Sequence, residues 1–314
     1  MNASIVLLDT LKDSNLTMIN NQAWFISIDI LLIICLTLAI ILALIFLFII
    51  LIDSSCQAVP MILITNSCFS GLSFTLAIFW SAVITFYNDL NQIQYHDPTC
   101  IIRGYFIYVT CTALCWSYFL QAIYRYIIVV YSNRLSWQSK QRQVFLICLS
   151  WIFVFLYAVP VLLKGDIRYE VDDQICQMPH HLSIVTIYIN LYFYLLPVGG
   201  IISIYVKLVL YVKEKSKNVT PANNLFRAQR ELKMVHRIVI LISILLSLGI
   251  PYASFLFTGF FTTPPQYHYR IAYTFVDISL VFVIITLFKC TDPIKLAIRN
   301  IRNQRTNTTA ATMT

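Results

Sequence analysis

Seven stretches of this 314-residue chain are each long and apolar enough to cross a bilayer. Lipid offers free backbone groups no hydrogen-bond partner, so such runs fold as helices of about 20 residues across a hydrocarbon core of roughly 30 Å. The runs are Trp24 to Ile52, about Ala58 to Phe86, about Thr99 to Val130, Val144 to Leu163, about Leu182 to Val212, Val235 to Phe261, and Arg270 to Phe288. The fourth is expected to end at Pro160. The first holds ILLIICLTLAIILALIFLFIILI, with no charge between Asp29 and its end. Composition agrees: 11% of the chain is charged, against about 25% in soluble domains, too little to cover a water-facing surface. The expected fold class is an all-α bundle of seven transmembrane helices.

An odd number of spans separates the termini, and basic residues mark the cytoplasmic side. Segments 125–143, 207–237 and 289–305 hold 17 of the 22 Lys and Arg. This predicts an external N-terminus and an internal C-terminus. The domain reading is an extracellular tail over 1–23, a membrane domain over 24–297 and a cytoplasmic tail over 298–314. No basic segment precedes the short apolar patch from Ile5 to Leu8, so no cleavable signal peptide is expected. Sequons at Asn2 and Asn15 fit an external, glycosylated tail. The loops run to about 22 residues at most, leaving no room for a soluble catalytic or nucleic-acid-binding domain. The net charge of +8 is therefore a topology signal and an attraction to anionic lipid headgroups, not a nucleic-acid footprint.

Buried ionisable groups mark intramembrane chemistry, because each is costly in lipid. Here they are few. All five His lie in loops or at span ends and form no metal-binding pattern, so neither metal nor cofactor is expected. Asp29 and Asp277 sit within a turn or two of the outer face, where a solvated rim position is the simplest reading. Arg125 differs: with Tyr126 it closes the third span at its cytoplasmic end, 25 residues after Cys100. At 1.5 Å per residue that separation is roughly a membrane thickness. Cys176 lies in the next external loop, where the exterior is oxidising and the two thiols can bridge.

With these residues in place, the chain resembles rhodopsin-like seven-helix G-protein-coupled receptors over about residues 24–300. Further anchors are Trp151 and Pro160 in the fourth span, Pro197 and Tyr205 in the fifth, Glu231 and Pro251 in the sixth, and Asp292-Pro293 closing the seventh. The resemblance implies a Cys100–Cys176 disulfide and a resting tether between Arg125 and Glu231. It implies that agonist breaks the tether, that the sixth helix swings about Pro251, and that Tyr205 fills space beside the freed Arg125. It also implies a heterotrimeric G protein as the partner at that face, and a plasma-membrane receptor rather than an enzyme.

The departures are as informative. The acid usually before the Arg is Tyr124, the sodium-site Asp is Gly71, and the sixth-span switch reads Leu248-Gly249-Ile250 without its Trp. Leu296 stands where the seventh-span motif carries Tyr, and the first span lacks its usual Asn. A divergent receptor with high basal activity is expected. The position of the amine-receptor Asp is Ile107, and that of the opsin retinal Lys is Thr286, so neither ligand chemistry is expected. The expected pocket is aromatic and polar: Tyr108, Thr110 and Cys111; Tyr188, Asn190 and Tyr194; Tyr252 and Phe255; Tyr273 and Asp277. Asp166, Glu170, Asp172 and Asp173 above it form an acidic mouth that favours a cationic or amidated peptide. Two alternatives stay open: a small transporter or channel, and a receptor-fold protein that no longer couples.

Overall fold

The computed structural model describes residues 2–52, 59–91, 98–131, 137, 139–178, 183–217, 222–262 and 265–290. Side chains are described from Trp24 onward, except at a few positions that include Glu231 and Leu248. The elements run α1 (Asn2–Ile52), α2 (Val59–Asn91), α3 (Cys100–Val130), α4 (Lys140–Lys164), a hairpin of β1 (Arg168–Glu170) and β2 (Ile175–Gln177), and α5 (Ile184–Asn190). A π-helical turn (Leu191–Leu195), α6 (Leu196–Lys217), α7 (Ala222–Phe261) and α8 (His268–Cys290) complete the chain. Six helical segments qualify as membrane spans by length and composition, and Val235–Ser247 with Gly249–Phe261 forms a seventh, bent by 48°.

Two of the spans are deformed by proline for readable reasons. Pro251 has no N–H to give the Ser247 carbonyl and its ring crowds that turn, which is where α7 bends. In the fifth span, the Leu196 N–H reaches back five residues to the Leu191 carbonyl. The next nitrogen in that pattern belongs to Pro197 and carries no hydrogen. The Tyr192 carbonyl so released accepts the Trp116 indole N–H at 3.1 Å, which ties the deformed turn to α3.

α3 is the axis of the bundle, packing on α2, α4, α6 and α7, while α1 closes the ring against α2 and α8. The largest core cluster includes Leu36, Phe46, Ile78, Leu114, Ile201 and Leu280, all buried. Large apolar side chains such as Leu31, Phe48, Phe145, Leu156, Leu210 and Phe257 point outward and exposed, a surface that suits lipid rather than water. Small residues set the helix spacing: Ala39 and Ala43 are fully buried on α1, and a Cβ on Gly200 would overlap the Phe119 ring of α3. Polar pins complete the packing. Trp151 donates to Asn66 Oδ1 at 3.0 Å, and Gln121 donates to Ser67 Oγ, joining α4 and α3 to α2.

The expected spans are all helical, with boundaries that shift. α4 starts at Lys140 because the Ser139 hydroxyl accepts from the Arg142 N–H at 3.4 Å. It does not end at Pro160, since one missing hydrogen bond near a helix end is tolerated, and Gly165 at φ 65° stops it instead. The fifth span begins at Ile184 under a Ser183 cap rather than at Leu182. The first helix continues back to Asn2, through the segment assigned to a tail.

Candidate functional site

One end of the bundle is closed by the hairpin. Its antiparallel register pairs Tyr169 with Cys176, and Cys176 is disulfide-bonded to Cys100 at the start of α3. The hairpin can lie this close because Gly104 has no side chain: a Cβ there would meet Ile167 at 2.8 Å. Beneath the disulfide, Arg103 is fully buried and its Nη2 reaches the Cys176 sulfur at 2.9 Å. The turn is held through Gln174, in the left-handed region at φ 57°. Its side chain accepts from the Tyr169 hydroxyl and its carbonyl accepts from Thr85 Oγ1 at 3.1 Å.

The two residues after Cys176 form the roof of a cavity between α3, the fifth span, α7 and α8. Gln177 is a clamp: its Nε2 donates to the Tyr252 hydroxyl on α7 at 2.6 Å, and its Oε1 accepts from the Tyr273 hydroxyl on α8 at 3.0 Å. Met178 is held from both backbone groups, donating its N–H to the Tyr108 hydroxyl at 3.4 Å and accepting from Tyr269 at 2.8 Å. Expected pocket residues Tyr108, Cys111, Asn190, Tyr252 and Tyr273 line this cavity, and its described lining is uncharged.

Others do not. Tyr194 lies beside Phe193 with its hydroxyl near Gly249, and Phe255 packs on His268, while Leu256 takes the lining position on α7. Tyr188 turns to α4, its ring against Tyr157. Thr110 bonds its own helix at the Phe106 carbonyl. Hydropathy places these side chains at the right depth but does not fix which way around the helix they face.

Asp277 lines a second cavity, between α1, α2 and α8. It is 2% exposed and Asp29 8%, so neither is a solvated rim residue as the sequence suggested. Both helices continue past these residues and the hairpin's Ile175 covers the space, which is why nearness to a span end did not bring water. Arg270 lines the same cavity. Its two Nη atoms grip the Asp89 carboxylate, its Nε donates to the Asp173 carbonyl at 3.0 Å, and its guanidinium lies 4.5 Å over the Phe25 ring. Asp173 faces inward too, accepting from the Arg270 backbone N–H at 3.2 Å with His268 at 3.8 Å. Burial pushes its carboxyl above the usual carboxylate range, against the pull of these partners. The acidic mouth is thus reduced to Asp166, Glu170 and Asp172. Sequence reasoning missed the clamp role of Gln177; a polar residue directly after the bridging Cys was its only signal.

At the opposite end Arg125 is 4% exposed with the Tyr124 ring beside it, and Tyr124 packs with Leu63 and Ile128. Tyr126 meets Tyr131 and joins the cluster around Val129, Leu208 and Val235. Tyr205 pairs with His236, hydroxyl to Nδ1 at 3.4 Å. The Glu231 side chain, Asp292, Pro293, Leu296, the sequon side chains of Asn2 and Asn15, and the tail over 298–314 lie outside the described residues.

Comparison with known proteins places this geometry. Residues 23–294 match the family described as "7 transmembrane receptor (rhodopsin family)". Green-sensitive opsin-2 of Danio rerio is 29% identical over 204 residues, which are 62% of this chain and 56% of that protein. The match thus spans a little over half the length of this curated relative. The crystal structure of squid rhodopsin superimposes with a TM-score of 0.72 at 17% identity, covering 89% of this chain and 85% of that one, a likeness of fold. The chain therefore belongs to the rhodopsin family of seven-transmembrane receptors, which makes it a multi-pass membrane receptor of the G-protein-coupled class rather than an enzyme.

Proposed function

We infer that the chain sits in the plasma membrane with its hairpin end outward, binds the terminal residues of an amidated, basic peptide, and activates a heterotrimeric G protein at its Arg125 end. The observation that carries this reading is the Gln177 clamp: one loop side chain bonds α7 and α8 at once, over an uncharged cavity. A carboxamide can take the place of either partner of Gln177, because it donates and accepts through the same pair of groups. Releasing Tyr252 frees the outer half of α7 above the bend at Pro251, and the inner half carries His236 beside Tyr205. Motion at the clamp thus becomes motion near Arg125, where the α-subunit tail of a G protein enters. The exposed acids Asp172 and, in part, Asp166 and Glu170 draw a basic peptide to the mouth.

The opsin relative raises light reception as a second reading. Against it, Thr286 stands where the family's light receptors carry their lysine, and no lysine lines either cavity among the described residues. The test is G-protein recruitment in cells expressing the full chain, challenged with basic peptides as C-terminal amides and as free acids. At least one amide evokes recruitment, its free acid is weaker by about tenfold or more, and Arg125→Ala abolishes both basal and evoked signals. Absence of any response, or a full response from Arg125→Ala, overturns the reading.

A further inference from the structure

The second cavity carries more acid than its own cation can answer. Among the described residues around it stand Asp29 on α1, Asp89 on α2 and Asp277 on α8, against Arg270 alone. Arg270 is committed to the Asp89 carboxylate and the Asp173 carbonyl, and its flat face lies on Phe25. His268 and Asp173 face each other at the rim. This leaves one oxygen on each lining acid, Asp29 Oδ2 and Asp277 Oδ1, buried and without a hydrogen-bond donor. A buried carboxyl oxygen with no donor is costly, so two of them lining one cavity describe a site that hydrogen-bond donors would stabilise.

We propose that this cavity is a cation subsite that takes a primary alkylammonium group between Asp29 and Asp277. A primary ammonium is compact and has three N–H donors to share between the two acids. The walls receive its hydrocarbon stem: Phe25, Ile28 and Leu32 from α1 and Ile78 from α2 are apolar. The subsite is distinct from the first cavity, whose described lining is uncharged, and Tyr273 is in the wall of both. The same chemistry has two sources, a free small amine or the lysine side chain or N-terminus of a peptide. In its peptide form the proposal rests on the function proposed above; in its free-amine form it does not.

The test uses the full-length protein in lipid nanodiscs and follows thermal unfolding with n-butylammonium chloride, with sodium chloride and butanol at equal concentrations as controls. Butylammonium raises the midpoint saturably and the two controls do not. Asp277→Asn and Asp29→Asn each weaken that effect by about tenfold or more, since an amide keeps the shape and removes the charge. Ala82→Leu, which keeps both acids and fills the cavity, abolishes it. An equal shift from sodium chloride, an unchanged shift in Asp277→Asn, or no shift at all overturns the proposal. A second arm compares peptide agonists carrying lysine or norleucine: a peptide-borne ammonium loses potency on the receptor when changed to norleucine, and loses none on Asp277→Asn. If butylammonium binds and no peptide signals, the subsite stands and the peptide reading falls.

Discussion

The hairpin end and the Arg125 end of this receptor are built on opposite plans. At the hairpin end a single loop reaches four helices: Cys176 holds α3, Gln174 is bonded by Thr85 of α2, Gln177 holds α7, and Asp173, Gln177 and Met178 hold α8. At the other end the helices arrive past proline deformations, at Pro197 in the fifth span and at Pro251 in the sixth. The described contact between these two spans there is Tyr205 with His236 over an apolar cluster. A cross-braced end paired with hinged rods lets a small change at the brace become a large displacement at the rods, because packed interfaces switch rather than deform smoothly.

That contrast can be broken by mutation, and the effects should fall in order. Arg270→Ala is the most damaging, at about 3–5 kcal/mol, because it leaves Asp89 and Asp29 as buried neighbours without their cation. Chemical denaturation in detergent reads it, and adding Asp89→Asn to the same chain should recover part of the loss. Cys176→Ser comes next at about 2–5 kcal/mol, through the lost disulfide, and shows as a fall in receptor at the cell surface. Gln177→Ala costs about 1–3 kcal/mol by removing the bonds to the Tyr252 and Tyr273 hydroxyls, and raises basal G-protein recruitment as α7 is released. Tyr205→Phe, at the hinged end, changes stability by less than about 0.5 kcal/mol, since its bond to His236 is exposed. Should Tyr205→Phe cost as much as Gln177→Ala, the two ends are equally braced and the contrast is lost.

What could be read in advance followed from one-dimensional physics. Lipid forces helices, so seven apolar runs announced the spans; an oxidising exterior allowed a Cys100–Cys176 bridge, and the family resemblance implied that pairing and the bend at Pro251. Facing and closure were hidden. Asp277 and Phe255 were placed at the right depth and in the wrong compartment, because depth comes from hydropathy while facing comes from which helices flank which. Asp173 read as a surface acid because its partner, Arg270, lies 97 residues away and reaches it only once α8 has docked. The π-helical turn was illegible for a related reason: Pro197 announces a missing donor, but that Trp116 would supply one depends on α3 standing opposite.

The Tyr273 ring is a partition. It is a party wall between two chambers, hydroxyl bonded to Gln177 and position shared with the acid-lined space behind it. An occupant on one side that shifts the wall alters the fit on the other by some factor, and equilibrium requires the second occupant to return the same factor to the first. A substitution at Tyr273 would therefore change two affinities together, and the ratio between bound and unbound neighbour measures how stiff the wall is.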